Sequence, residues 1–125
     1  MAKKILVVED DIDNRHIVAK VLSVVGYQVI EATDGVEALS QAHKEHPDLI
    51  LMDLALPNLN GWEATRQLKG NNETRSIPVV ALTAVAMRGD EEQARAAGCD
   101  DYLPKPARPP AIRALVRKYT GGATS

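Results

Sequence analysis

Two apolar runs in this chain end abruptly in carboxylates. Ile5-Leu6-Val7-Val8 passes into Glu9-Asp10-Asp11, and Leu49-Ile50-Leu51-Met52 passes into Asp53. Similar runs recur at 29–32, more weakly, and at 79–82, with a degenerate one at 102–103, and each is followed by a segment of helical period. Strand then helix, five times over, predicts an α/β domain with a parallel sheet, because parallel strands need crossovers and helices supply them. Right-handed crossovers with helices on both faces narrow such a chain to a doubly wound five-stranded sheet, and the commonest small solution has strand order 2-1-3-4-5. Strands one and three then lie side by side, so Glu9, Asp10 and Asp53 meet at the switch point where such sheets bind ligands.

The helices carry their own punctuation. In the first, Ile12, Val18, Val21, Leu22 and Val25 are expected to share an apolar face, and Gly26 closes it as a C-terminal glycine should. Asp34-Gly35 starts the second, which runs through Val36, Ala38, Leu39 and Ala42, and Pro47 stops it before the third strand. The third is expected from about Gly61 to Leu68, the fourth between Asp90 and Ala97, ended by Gly98, and the fifth between Pro110 and Tyr119. One domain over residues 1–120 is expected, with 121–125, Gly-Gly-Ala-Thr-Ser, as a disordered tail. No internal repeat or low-complexity segment interrupts this order.

Charge and cysteine content exclude several classes. Fifteen Lys and Arg against seventeen Asp and Glu give a net charge of −2, without the basic excess that nucleic-acid binding through phosphate contacts needs. Cys99 is the only cysteine, so no internal disulfide can form. The start Met-Ala-Lys-Lys-Ile-Leu lacks the apolar stretch of a signal sequence, and no run reaches transmembrane length. A cytoplasmic protein with no membrane association is expected.

Thr83 ends the 79–82 run, and Lys105 follows the 102–103 run just before Pro106, so a hydroxyl and an ammonium join the three acids at the same sheet end. Glu9 and Asp10 can both reach one metal, one directly and one through water. Magnesium suits the site, as a hard cation that keeps several waters and takes one or two carboxylates plus phosphate oxygens. Three carboxylates, one ammonium and one divalent magnesium cancel. A phosphoryl group esterified on Asp53 removes one negative charge and adds about two, leaving about one negative. Asp53 is the expected nucleophile, forming an aspartyl phosphate, while the metal and Lys105 stabilise the equatorial oxygens. Thr83 acts later: its hydroxyl bonds a phosphoryl oxygen and leaves a space that Tyr102 can fill, which gives a switch a physical basis.

The segments ILVVEDD, LILMDLALPNLNG, VVALTA and DDYLPKP resemble the receiver domain of two-component response regulators, and the match runs from residue 4 to about 119. The resemblance implies the flavodoxin-like (βα)5 fold, Asp53 as phosphoacceptor, and Asp10 with Asp53 as direct magnesium ligands. It also implies Glu9 as the outer acid, a metal contact from the Ala55 carbonyl, Thr83 and Lys105 in the roles above, and a cis peptide at Lys105-Pro106. Glu stands at position 9 where Asp is commoner, and Ala107-Arg108-Pro109-Pro110 follows the Lys-Pro pair where a bulky apolar residue is frequent, which bears on how the last helix packs. With no Phe in the chain, an aromatic switch must be Tyr102. The run AVAMRGDEEQARAAGCDDYLPKP also resembles stand-alone receivers of the DivK type and receivers attached to hybrid kinases.

The expected activity is therefore transfer of a phosphoryl group from a phosphohistidine, on a sensor histidine kinase or a phosphotransfer protein, onto Asp53. The chain would catalyse its own phosphorylation and a slow dephosphorylation, then signal through a changed protein-binding surface as a monomer or weak dimer. A receiver fragment of a hybrid kinase or larger regulator would read the same way. A flavodoxin-like electron carrier shares the layout, but its first loop must cradle a phosphate, which Glu9-Asp10-Asp11 would repel. A phosphohydrolase built on an aspartate nucleophile would carry a second acid two residues on, where this chain has Ala55.

Other residues have plainer readings. Asp11 and Asp13 read as a helix cap and favourable first-turn charge, and Cys99 as a buried small residue. His16, His43 and His46 lack metal spacing and read as helix-surface residues. Trp62 is expected on helix three near the site, and Met87 to Arg95 as a solvated face that, with Tyr102 and Pro104, could meet partners.

Overall fold

Apolar side chains alternate between two cores, and that alternation explains why the strands read as unbroken runs. Five parallel strands form one sheet in the order β2-β1-β3-β4-β5: β1 (Lys4–Val8), β2 (Gln28–Ala32), β3 (Leu49–Asp53), β4 (Val79–Thr83) and β5 (Asp101–Pro104). The computed structural model describes residues 2–54, 56, 58–83, 92, 95–105 and 107–123. Leu6, Val8, Ile50, Met52, Val79 and Ala81 face one core, and Ile5, Val7, Leu49, Leu51, Val80 and Leu82 face the other. Strand side chains alternate with period two, so a strand covered on both faces has no polar face to show. Ile5 to Val8 and Leu49 to Met52 are at most 1% exposed. Those eight side chains, at about 1.5–3 kcal/mol each, outweigh the several kcal/mol it takes to bury the acids that follow them.

Four helices have described bounds: α1 (Ile12–Val24), α2 (Gly35–Glu45), α3 (Gly61–Lys69) and α4 (Pro109–Thr120). The α2–α3 side covers the first core, where Ala38, Ala42, Ala64 and Leu68 are buried; the α1–α4 side covers the second, where Leu22, Ile112 and Val116 are buried. A polar side chain caps each of the first three helices, at Asp11 and Asp34 where the sequence marks a helix start and also at Asn60. Asp11 accepts from the Asn14 N–H, Asp34 from Glu37 and Asn60 from Glu63. Gly26, at φ 101°, follows the end of α1. Of the expected fourth helix residues 92 and 95–97 are described, all helical, and Gly98 at φ 103° closes it.

The expected apolar face of the first helix needs correction. Ile12 is 56% exposed and Val25 43%, and α1 buries only Leu22 fully, with Val18 and Val21 partly covered. At about 100° per residue Ile12 lies about 120° from Val18 around the helix, off the covered stripe. Val25 has the right angle but caps the helix end. The bland segment at 107–110 does not loosen α4. Its N-cap Arg108 makes no side-chain cap bond, yet Ala107, Leu115 and Tyr119 pack against the second core. The tail expected to fray is tied down as far as Ala123, whose carbonyl accepts the Lys3 N–H at 2.8 Å.

Away from the acid end, α4 is pinned to β5 by polar contacts. The Tyr119 hydroxyl donates to Asp101 Oδ2 at 2.9 Å and to the Asp100 carbonyl at 3.1 Å, and Lys118 Nζ approaches Asp101 Oδ2 at 3.3 Å. Burial would raise the Asp101 carboxyl, but the Tyr102 N–H, the Tyr119 hydroxyl and Lys118 together hold it below the usual carboxylate range. Burial, then Asp101, push Tyr119 up to about 12. Tyr119→Phe should lower the unfolding free energy by about 1 kcal/mol at pH 7. Because the folded Asp101 value is depressed, its contribution is complete above the ordinary value near 4 and is lost as pH falls through the folded value. Urea unfolding at pH 7 and pH 3 should therefore show the gap between wild type and variant narrowing in acid; a gap that widens would refute this account of the contact.

Candidate functional site

The strand ladder puts the acids together. Val8 pairs with Met52 and Asp53 with Leu82, so Glu9, one residue beyond β1, and Asp53, the last of β3, emerge at the same edge of the sheet. One carboxylate oxygen each from Glu9, Asp10 and Asp53 lies within 4.8 Å of the others. Glu9 and Asp53 are buried, at 2% and 4% exposure, while Asp10 is exposed. Backbone bonds fix the floor: the Glu9 N–H donates to the Ala32 carbonyl at 3.0 Å and the Leu54 N–H to the Leu82 carbonyl at 3.1 Å.

Lys105, just past β5, closes the cluster. Its Nζ donates to both oxygens of Glu9 at 2.9 Å and to Asp53 Oδ2 at 3.0 Å. Burial pushes the Glu9 carboxyl up to about 7, helped by its contact with Asp53, while Lys105 pulls the other way. For Lys105 burial favours the neutral amine, but two carboxylates prevail and the ammonium is held above its ordinary range. The two directions agree physically. One ammonium is shared by two acids, so it stays charged while the crowding of negative charge falls on Glu9.

Other groups orient Glu9. Asn14 Nδ2 donates to Glu9 Oε1 at 3.4 Å, and Arg15 Nη1 to the Glu9 carbonyl at 3.0 Å while its Nε reaches Glu31 at 3.0 Å. Sequence reasoning missed Asn14 and Arg15, since both sit on a helix whose register toward the strand end is fixed only by packing.

Of the expected site residues, Glu9, Asp10, Asp53 and Lys105 come together. The Thr83 backbone ends β4 opposite Pro104, one strand from Asp53; its side chain lies outside the described part. Tyr102 is half-buried in β5, with its backbone opposite Ala81. Ala55, with the expected carbonyl contact, and Pro106, with the expected cis peptide, lie outside the described residues, as do Val85 and most of the 87–95 face. Cys99 is buried and its thiol is pushed up by that burial, in keeping with an inert role. Trp62, on α3, packs against the core that covers β3.

A magnesium ion fits this donor set. Its ligand atoms are hard carboxylate oxygens, and exposed Asp10 leaves a side open for the waters that magnesium retains. The chemistry available is that of a charged oxygen nucleophile set between a cation site and a fixed ammonium.

Comparisons with known proteins agree with this geometry. The family model described as response regulator receiver domain matches residues 5–117. The polar-differentiation response regulator DivK of Brucella ovis is 43% identical over 98% of this chain and 100% of its own length. Among solved structures, the receiver domain of sensor histidine kinase PA1611 from Pseudomonas aeruginosa, with a magnesium ion coordinated in its active site cleft, superposes with a TM-score of 0.90 at 36% identity, covering 98% of this chain and 100% of that one. A response regulator from Chloroflexus aurantiacus superposes with a TM-score of 0.91 at 30% identity, covering 95% and 98%. In sequence, in fold and in the acid cluster at its strand ends, the chain belongs to the response regulator receiver domain family, the phosphoacceptors of two-component signalling.

Proposed function

We propose that Asp53 is the phosphoacceptor of this response regulator and that Asp10, Asp53 and, through water, Glu9 hold its magnesium. The observation that carries the reading is Lys105, whose ammonium bridges Glu9 and Asp53 within the acid cluster. A buried acid held beside a fixed cation is prepared for a reaction that delivers negative charge. In the transfer, Asp53 Oδ attacks phosphorus in line, the phosphorus–nitrogen bond of a phosphohistidine breaks, and its electron pair returns to the imidazole, which picks up a proton. Lys105 then exchanges its bond to Asp53 Oδ2 for one to a phosphoryl oxygen while keeping Glu9. Magnesium, when bound, supplies positive charge to the phosphoryl oxygens. Thr83, at the end of β4, turns its hydroxyl to the same group, and Tyr102 responds from the neighbouring strand.

The phosphodonor is a histidine kinase or a histidine phosphotransfer protein. A cavity of about 410 Å³ opens beside the site, with Glu9 and Lys105 at its polar end and Ile17, Val18 and Ala107 along its apolar wall. A donor helix seated there would bring its phosphohistidine to Asp53. No helix among the described residues is long and apolar enough to cross a membrane, and we assign the protein to the cytoplasm.

With magnesium and a small phosphodonor, or with beryllofluoride as mimic, wild type should take up one group per chain at Asp53 and Asp53→Asn none. Intact mass and peptide mapping would read this, and modification at another residue would sink the assignment.

Asp10 and Lys105 should fail differently. Asp10→Asn should weaken magnesium binding on the order of ten- to a hundredfold and slow phosphorylation accordingly. Lys105→Ala should keep magnesium affinity within a factor of a few yet still impair phosphorylation or the switch. Calorimetric titration of magnesium into both variants separates the roles; equal losses of affinity would refute the division.

The lifetime of the phosphorylated state should be long. Ala55 and Val85, two residues beyond Asp53 and Thr83, offer no polar group to orient an attacking water. An Ala55→Asn, Val85→Glu double variant should lose phosphoryl label faster, on the order of tenfold. If its label decays no faster than that of wild type, water positioning at these two sites does not set the lifetime.

A further inference from the structure

The loop that leaves Asp53 is fastened at two points outside the acid cluster. At its base, the Gly61 N–H donates to the Leu54 carbonyl at 3.1 Å, and a Cβ on Gly61 would collide with the Asp53 carbonyl oxygen and stand 2.7 Å from the Leu54 Cα. Near its tip, Asn58 adopts φ 64° and its Nδ2 donates to Asp34 Oδ2 at 2.7 Å. The other Asp34 oxygen accepts the Glu37 N–H at 2.8 Å and caps α2. A side chain on Gly35 would collide with the Leu59 carbonyl oxygen. The first turn of α2 is therefore pressed against the backbone at 58–59, and the Asp34–Asn58 bond locks the contact.

Asn58 is exposed and Asp34 only half-buried, so the bond contributes little to the core. Its position suggests another use. Three carboxylates within 4.8 Å repel one another, and the repulsion must be resisted by the backbone that carries them. Upstream, Asp53 is held by the β-ladder; downstream, among the described residues, burial of Leu54 and Leu56, the Leu54 bond, the Gly61 contact and this clamp restrain the chain. The Glu37 N–H and then the Asn58 amide hold the Asp34 carboxyl below the usual carboxylate range, so the acceptor stays ionised at neutral pH.

We propose that Asp34 and Asn58 are positioning residues for the phosphoacceptor site: their bond holds the loop after Asp53 so that its carboxylate keeps the orientation toward Glu9 and Asp10 that cation binding needs. The proposal rests on the function assigned above. Misplacement of about 1 Å in a reacting group can cost a hundredfold in rate, so even partial loosening is measurable.

Two substitutions isolate the bond. Asn58→Gly removes the amide while suiting the left-handed backbone, and Asp34→Ser keeps a cap acceptor for Glu37 without reaching Asn58. Each should weaken magnesium binding about three- to tenfold by calorimetry and slow phosphorylation by a small phosphodonor, and the double variant should be no worse than the weaker single. Thermal unfolding of Asn58→Gly should stay within a few degrees of wild type. Unchanged magnesium affinity in Asn58→Gly, or multiplied effects in the double variant, would overturn the proposal. If wild type itself neither binds magnesium nor accepts a phosphoryl group, the assigned function fails and takes the clamp with it; a functional wild type with indifferent variants refutes the clamp alone.

Discussion

One ammonium shared between two buried carboxylates is the interaction on which the rest of this site depends. Lys105 reaches Glu9 and Asp53 at 2.9–3.0 Å from a strand that is neighbour to neither of theirs, since β4 intervenes between β3 and β5. Without it, two acids at 2% and 4% exposure would face each other with no buried cation, which is strongly unfavourable. Parallel pairing makes the arrangement possible. All strands point the same way, so residues widely separated in sequence arrive at one edge, and the apolar runs that bury the sheet carry the acids in with them.

Much of this was legible because strand ends are marked in the sequence. The passage from Val8 to Glu9 and from Met52 to Asp53 marked both the strand and the acids at its end, and the five-fold alternation led to the observed strand order. Asp11 and Asp34 were legible at helix starts from residue type and position, and both cap. What escaped was whatever depends on rotation about a helix axis or on contacts with no periodic signature. Ile12 looked like part of the apolar face because of its residue type, yet it lies off the covered stripe of α1 and is exposed. Asn14 and Arg15 read as ordinary helix polars, and only docking of α1 on β1 brings them to Glu9. Asn58, in a Pro-Asn turn, carried a local signal for a left-handed residue, but nothing in sequence tied it to Asp34.

The two cores divide the labour around the sheet. The α2–α3 side packs under the loop that leaves Asp53, with Leu54 and Leu56 buried in it, and so controls where Asp53 points. The α1–α4 side borders the cavity beside Lys105 and leaves Ile17 exposed at its wall. Orientation of Asp53 and access to the acid cluster are thus set by different helices, and each can vary while the strands between them stay fixed.

The close approaches at Gly35 and Gly61 carry a consequence for how this chain can change. At both positions any side chain would meet main-chain atoms, which cannot swing aside as a flexible side chain does. Natural drift and laboratory libraries therefore meet the same wall there, whatever property is being selected. Diversity in timing or partner choice has to accumulate at exposed neighbours such as Val36, so tolerant and intolerant positions stand side by side in the chain.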